Sequence, residues 1–425
     1  MPSDPLVDPP EDLTAAPAIV MVASGTQAAS LVLPATAELG RRIAATGVSR
    51  EVADERMSRD HATVKWDRGL WIVRDLDSRN GTYVNGERIT REIRRRGDLV
   101  LRLGHTVFVL LADGRGHTAE AGAASAGVVG PELARAYDQI RRCAAADTLL
   151  LLGEPGSGKD VAARLYHESG PRRAGPFVAV SCAAIPDGVA DRLLFGGKKG
   201  IVDTIGQYQL AQGGTLFLDD LADLAGSAQR ALVQLLDTGK AKADRVGIVA
   251  GGHELRAAIS EGQLRDDLVR RIATTTVSLP PLRSRRVDIA RLVQREIADH
   301  AERSGRALTP HAKLLETCCL RSWPGNISEL RASIRAAAAH AVTAGRAVVR
   351  VEDLPEAAGL PLGSVSSETA VERPRHAAPL ALDKATITAA LERANGVVSV
   401  AARALGMHRS QLYKLLDQHG IAHDK

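Results

Sequence analysis

The residues best spaced to do chemistry are Gly153, Gly156, Ser157, Gly158, Lys159 and Asp160, in the run LLLLGEPGSGKD. Four leucines (149–152) precede them and the helical segment VAARLYHES follows. G-x-x-x-x-G-K between a strand and a helix is a phosphate loop. Its glycines let the backbone wrap a phosphate closely with N–H groups turned inward. The helix N-terminus adds partial positive charge and Lys159 a full one. Asp160 stands where a serine or threonine usually follows the lysine. Downstream, GGTLFLDD is an apolar strand ending in two carboxylates. Asp219 is placed to hold a magnesium ion, directly or through water, and Asp220 to polarise an attacking water. Together the two stretches predict a nucleotide site.

Near the C-terminus, SVAARALGMHRSQLYKLL reads as two short helices about a tight turn at Gly406, a helix-turn-helix. The second helix is expected to enter the DNA major groove led by its first residues. Arg409, Ser410 and Gln411 then meet base edges or phosphate, with Lys414 one turn later and Arg403 on the preceding helix.

The elements that must position these groups divide the 425 residues into several domains. Residues 1–17 are acidic and Pro-rich and are expected to be disordered. From 18 to 112 short β runs alternate with turns (AIVMVAS, ATVKW, LWIVRDL, TVFVLLA), the spacing of a β-sandwich. A Gly/Ala-rich linker (113–128) follows. Alternating strands and helices over 129–356 then predict an α/β domain with a mainly parallel sheet and crossover helices, to which the family resemblance given below adds a helical lid. A second linker (357–380) leads to an all-α domain at 381–425. The net charge of +5 confines nucleic-acid contact to a local surface. Four cysteines without a C-x-x-C pair argue against a zinc site or a disulfide framework. No apolar run has membrane-spanning length and no signal peptide is recognisable, so the cytoplasm is the expected location and no membrane partner is expected.

Gly40-Arg41, then Ser58-Arg59-Asp60-His61, then the run from Ser78 to Gly86 (SRNGTYVNG) resemble the forkhead-associated (FHA) domain, a phosphothreonine-reading sandwich. The resemblance implies that Arg41, Ser58, Arg79 and Asn80 hold a phosphothreonine and its peptide, by charge-assisted bonds, a hydroxyl and an amide. The run from Arg41 to Ser58 is long, so Arg42 and Arg50 remain alternatives to Arg41. The stretches GPFVAVSCAAIPDG, GGTLFLDD, LRDDLVRRI, LPPLRSRRVDIARL and WPGNISELR resemble the AAA+ domain of bacterial enhancer-binding proteins, ATPases that remodel sigma-54 RNA polymerase. That resemblance implies ATP and Mg2+ as ligands, and a ring in which Arg265 and Arg271 reach a neighbouring subunit's ATP. The C-terminal domain resembles the Fis-type DNA-binding domain of the same regulators.

Several family features are missing. The sigma-54-contacting G-A-F-T-G-A loop is replaced by GIVDTI (200–205), and a second loop is clipped between Gly239 and Val246. The polar sensor aligns with Gly252 and the second-sensor arginine with Ser328, Arg331 lying one turn on. Asp220 stands for a glutamate, one methylene shorter, and small displacements of the attacking water cost about a hundredfold in rate. The expectation is therefore a DNA-binding, phosphothreonine-gated regulator that binds ATP mainly for assembly, with impaired hydrolysis and without the family's sigma-54 contact. The partners expected are DNA, a threonine-phosphorylated protein or the chain's own phosphorylated segment, RNA polymerase and further copies of the chain. The alternatives are an ATP-hydrolysing sigma-54 activator and a phosphopeptide-binding scaffold with an inert nucleotide domain.

Overall fold

The structure, a computed structural model, describes residues 16–24, 27–117, 130–199, 202–361 and 388. The helix-turn-helix residues Arg403, Arg409, Ser410, Gln411 and Lys414 lie outside the described residues.

The N-terminal β runs build two six-stranded sheets. One orders the strands Gln27–Pro34, Ala18–Ser24, Thr106–Leu111, Leu99–Leu103, Thr82–Val84 and Glu87–Arg88. The other orders Ile93–Arg95, Leu70–Asp75, Ala62–Asp67, Thr36–Leu39, Arg42–Ala45 and Val48–Glu51. Side chains alternate across a strand, so each strand has an inner and an outer set. Ile19, Met21, Leu101, Phe108 and Leu110 point between the sheets and meet Leu39, Val64 and Trp71.

The outer set of the first sheet is apolar as well. Val20, Val22, Val100, Val107 and Val109 are all buried, in one cluster with Leu292, Val293, Leu315, Cys318 and Cys319. Those partners come from the helices Arg286–Ser304 and Ala312–Leu320 of the lid. The sandwich and the lid therefore share a core despite the linker between them. Polar contacts fringe this seam: Arg102 Nε donates to Glu316 Oε2 at 2.6 Å and Arg286 Nη1 to the Asp98 carbonyl at 3.0 Å.

The central domain has a five-stranded parallel sheet in the order Phe177–Ser181, Thr215–Asp219, Gly247–Gly252, Thr148–Leu152, Thr276–Ser278. Thr148–Leu152 is flanked on both sides and covered on both faces, which is why its sequence is continuously apolar. The helix Pro131–Cys143 starts on proline with Glu132 in its first turn and ends on Arg141 and Arg142, matching its dipole. The lid closes with the helix Asn326–Thr343 and runs on to Gly359, whose carbonyl accepts from Trp323 N at 3.1 Å and whose amide donates to Glu329 at 2.8 Å. Its packing thus continues past residue 356, where the sequence pattern places the second linker.

Candidate functional site

The phosphate loop leaves the C-terminal end of strand Thr148–Leu152 and enters the helix Lys159–Ser169. Gly156 and Gly158 have φ of 71° and 100°, left-handed values that side chains other than glycine rarely adopt. The Lys159 ammonium is buried, 3.4 Å from the Gly153 carbonyl, 3.9 Å from Asp219 and 4.0 Å from Asp220. The sequence-predicted loop and both carboxylates are thus brought together. Asp220 turns the chain out of the strand with φ 54°. Burial, reinforced by the Asp220 and Asp160 carboxylates, pushes the Asp219 carboxyl above its usual range, with Lys159 pulling the other way. A divalent cation would relieve that. Among the described residues no group of three or more His, Cys, Asp or Glu forms a metal site. Magnesium here would lean on phosphate oxygens and water, its usual habit. Ser157 Oγ is buried without a hydrogen-bond partner, so the loop retains polar capacity for a phosphate.

The lid grips this loop directly. Ile327 N donates to the Gly156 carbonyl at 3.0 Å. Asn326, fully buried with φ 52°, donates through Nδ2 to Glu154 Oε2 at 3.1 Å and the Pro155 carbonyl at 3.0 Å. Its Oδ1 accepts from Leu282 N at 2.7 Å. Arg283 clamps Glu154 with two bonds of 2.7 and 2.6 Å. Glu154, Arg283 and Asn326 are not singled out by sequence; the asparagine of WPGN is the one signal that points to them.

The Arg283 guanidinium, followed by the Asn326 amide, lowers the Glu154 carboxyl from its usual 4.5 to about 2. A depressed carboxylate contributes stability that is complete above the unfolded value and is lost as pH falls through the folded one. The loop–lid bond is therefore expected to persist to about pH 2 in the native chain. In Arg283→Ala the Glu154 midpoint should return towards 4.5, read by carboxyl-carbon NMR titration. An unmoved midpoint would refute the clamp.

The residues expected at the sensor positions offer few side-chain groups to this loop. Gly252 ends its strand without a side chain to offer. Ser328 lies beside the loop: a Cβ on Gly156 would sit 3.1 Å from its Cβ and Oγ. Arg331 is held by Glu296 at 3.4 Å, and the same carboxylate takes Arg335 at 2.5 Å. Arg265 pairs with Asp267 at 2.7 Å, and Arg271 with Asp237 at 2.5 Å, on the protein's own exposed surface. Each pair is bidentate, Nε and Nη2 meeting the two oxygens of one carboxylate, so both arginines are engaged within this chain. Where the family's sigma-54 loop falls, Gly197–Lys199 and Val202–Thr204 form a two-stranded hairpin with only residues 200 and 201 between them. The second clipped loop is a single helical turn, Lys240–Ala243.

A second site lies on the sandwich. Arg41 N donates to the Ser58 carbonyl at 2.9 Å, and the Ser58 hydroxyl accepts from Arg79 N at 3.1 Å. Asn80 Nδ2 donates to the Arg56 carbonyl at 2.6 Å. Arg41, Ser58, Arg79 and Asn80 therefore come from adjoining loops, with the Arg41, Arg79 and Asn80 side chains exposed. Gly40 is required, because a Cβ there would lie 1.7 Å from the Arg59 carbonyl oxygen. The long run between Arg41 and Ser58 is taken up by the hairpin Arg42–Ala45 with Val48–Glu51. His61 is buried beneath, accepting from Ser58 N at 3.0 Å and lying 3.2 Å from the Gly81 carbonyl, and burial lowers its pKa. Since Nδ1 accepts, Nε2 carries the proton and donates to Gly81.

Known protein families match four separate stretches of the chain. Family models match as follows: an FHA domain at residues 38–104, a Sigma-54 interaction domain at 128–278, an AAA+ ATPase lid domain at 283–361, and a bacterial regulatory protein of the Fis family at 381–419. The Nif-specific regulatory protein of Azotobacter vinelandii is 33% identical over 306 residues, 66% of this chain and 56% of that protein. The acetoin dehydrogenase operon transcriptional activator AcoR of Bacillus subtilis is 36% identical over 312 residues, 67% of this chain and 49% of that protein. The chain spans between 36% and 56% of the length of such relatives. Crystal structures of NtrX from Brucella abortus are similar too. One has a TM-score of 0.51 and 28% identity over 69% of this chain and 70% of that one. The complex of NtrX with ATP has a TM-score of 0.50 and 26% identity, covering 69% of each chain.

Proposed function

Since this chain belongs, by its four matched domains, to the bacterial sigma-54 enhancer-binding regulators, we propose that it is a DNA-bound transcription regulator gated by phosphothreonine. Its FHA domain reads a threonine-phosphorylated protein or its own phosphorylated segment. Its AAA+ domain binds ATP in the cytoplasm chiefly to assemble copies of the chain. Gly153, Gly156, Ser157, Gly158, Lys159 and Asp160 would line the nucleotide's phosphates, and Asp219 would hold a magnesium ion, directly or through water. When bound, the metal neutralises phosphate charge. Asp220 orients water, but from one methylene further back than a glutamate would. Arg265 and Arg271 supply charge to the adjoining subunit's nucleotide. The Fis-type domain places Arg403, Arg409, Ser410, Gln411 and Lys414 on DNA, and RNA polymerase is approached from there.

The observation that carries this reading is a contrast within one site. The phosphate loop keeps its glycine geometry, its lysine and a firm grip by the lid, whereas the positions that sense the γ-phosphate carry Gly252 and Ser328. Binding draws mainly on backbone and Lys159, while hydrolysis needs water placed to within fractions of an ångström. ATP binding and hydrolysis should therefore be measured side by side, with and without DNA. Saturable binding with turnover at least about a hundredfold below a competent family member is expected. Full turnover together with capture of sigma-54 would transfer support to the second reading, an ATP-driven sigma-54 activator. That reading is favoured by the sigma-54 interaction match over 128–278.

The gate is tested separately. Arg41→Ala is expected to weaken phosphothreonine-peptide binding about tenfold to a hundredfold, the worth of a charge-assisted bond. Ser58→Ala should cost about tenfold, because the hydroxyl it removes also props Arg79 N. Isothermal titration with phosphorylated and unphosphorylated peptides reads both, and unchanged affinities would discard the gating role.

A further inference from the structure

A cavity of about 300 Å³ lies on the lid at the fringe of its seam with the sandwich, lined by His311, Lys313, Arg350, Val351 and Glu352. His105, from the turn joining two sandwich strands, reaches across the seam, its ring centre 5.5 Å from that of His311. Among the described residues neither the Lys313 ammonium nor the Arg350 guanidinium has an ion-pair partner. Arg102 nearby does, since Glu316 takes its charge. Among the described residues Glu352 is the single carboxylate lining the cavity, against two fixed positive charges and the His311 imidazole, whose ring meets that of His105 edge-on.

His311 is also the N-cap of the helix Ala312–Leu320. Its Nδ1 accepts from Lys313 N at 3.2 Å, which leaves Nε2 as the protonated, donating nitrogen. The helix adds the positive end of its dipole to the same spot. An ammonium, a guanidinium and an imidazole N–H around a small polar cavity suit an anion with several oxygens. We propose that this seam holds a binding site for a phosphate-type oxyanion, made by Lys313, Arg350 and His311 of the lid with His105 of the sandwich. Bound there, the anion ties the sandwich to the lid, so its occupancy favours the docked arrangement over a separated one.

The electrostatics agree. Burial lowers the His311 pKa, and the charges of His105, Arg102 and Arg350 lower it further, with Glu352 acting in the opposite sense. A dianion added beside these groups must raise it.

The test uses the full chain carrying Arg41→Ala and Lys159→Ala, which silence the two phosphate sites proposed above. Histidine signals are followed by NMR through a pH titration, with inorganic phosphate, a phosphothreonine peptide, or chloride at equal ionic strength. Phosphate is expected to raise the His311 midpoint saturably and chloride to leave it in place. A rise with the peptide as well would make a phosphorylated protein segment the source; a rise with inorganic phosphate alone would make it the free ion. In a further Lys313→Gln, Arg350→Gln chain, phosphate affinity should fall at least about tenfold. Equal effects of chloride and phosphate, or unchanged affinity in the double substitution, would overturn the site.

Discussion

Replacing Lys159 by alanine is expected to lower ATP affinity about a hundredfold, the worth of one strong charge-assisted contact in a sheltered site. Among the described residues Lys159 is the one cation within 4.0 Å of both Asp219 and Asp220. Without it, three carboxylates, with Asp160 the third, would face an incoming triphosphate unopposed. The loop itself should persist, because Gly156 and Gly158 set its backbone and Ile327, Asn326 and Arg283 hold it from the lid. Calorimetric titration with ATP and Mg2+ reads the loss, with circular dichroism as the control for folding. Native affinity in Lys159→Ala would remove the nucleotide site proposed here.

The second large effect lies at the seam between the sandwich and the lid, outside the nucleotide loop. Arg102→Ala should destabilise the protein by about 3–5 kcal/mol, the cost of leaving a buried charge unpaired. The Glu316 side chain is only 3% exposed and its Oε1 already lacks a partner. The Arg102 guanidinium also lies 3.8 Å over the Tyr83 ring, and alanine cannot reproduce that cation–π stacking. Replacing both Arg102 and Glu316 by leucine should recover much of the loss, since an apolar pair of similar volume avoids desolvating either charge. Urea unfolding of the single and double substitutions distinguishes the cases. A loss below about 1 kcal/mol for Arg102→Ala would place the pair among ordinary surface bridges.

These two expectations concern sites of different legibility. The phosphate loop is readable because its requirement falls on consecutive residues: glycines where φ is positive, a lysine at the helix start, an apolar strand before. The FHA loops are readable for the same reason, although spacing leaves Arg42 and Arg50 as alternatives to Arg41. Arg41 N bonds to the Ser58 carbonyl, while Arg42 begins a strand paired to Glu51. The seam leaves a fainter trace. AIVMVAS and TVFVLLA are apolar at nearly every position facing either way, whereas a sandwich with one wet face alternates. That excess states that something covers the outer face without naming it.

The sequence by itself determined the domain types, the glycine-rich loop ending on Lys159, and the apolar strand ending in Asp219 and Asp220. Each is a local demand on neighbouring positions, written in residue type and spacing. Only the tertiary structure decided that the sandwich packs on the lid and that Arg283 and Asn326 brace the loop. It alone, too, gathered His311, Lys313, Arg350 and Glu352 around one cavity, with the His105 ring against that of His311. Those outcomes join residues such as Arg102 and Glu316, 214 positions apart. No propensity or periodicity encodes such a meeting, because it exists only once burial has brought two distant surfaces together.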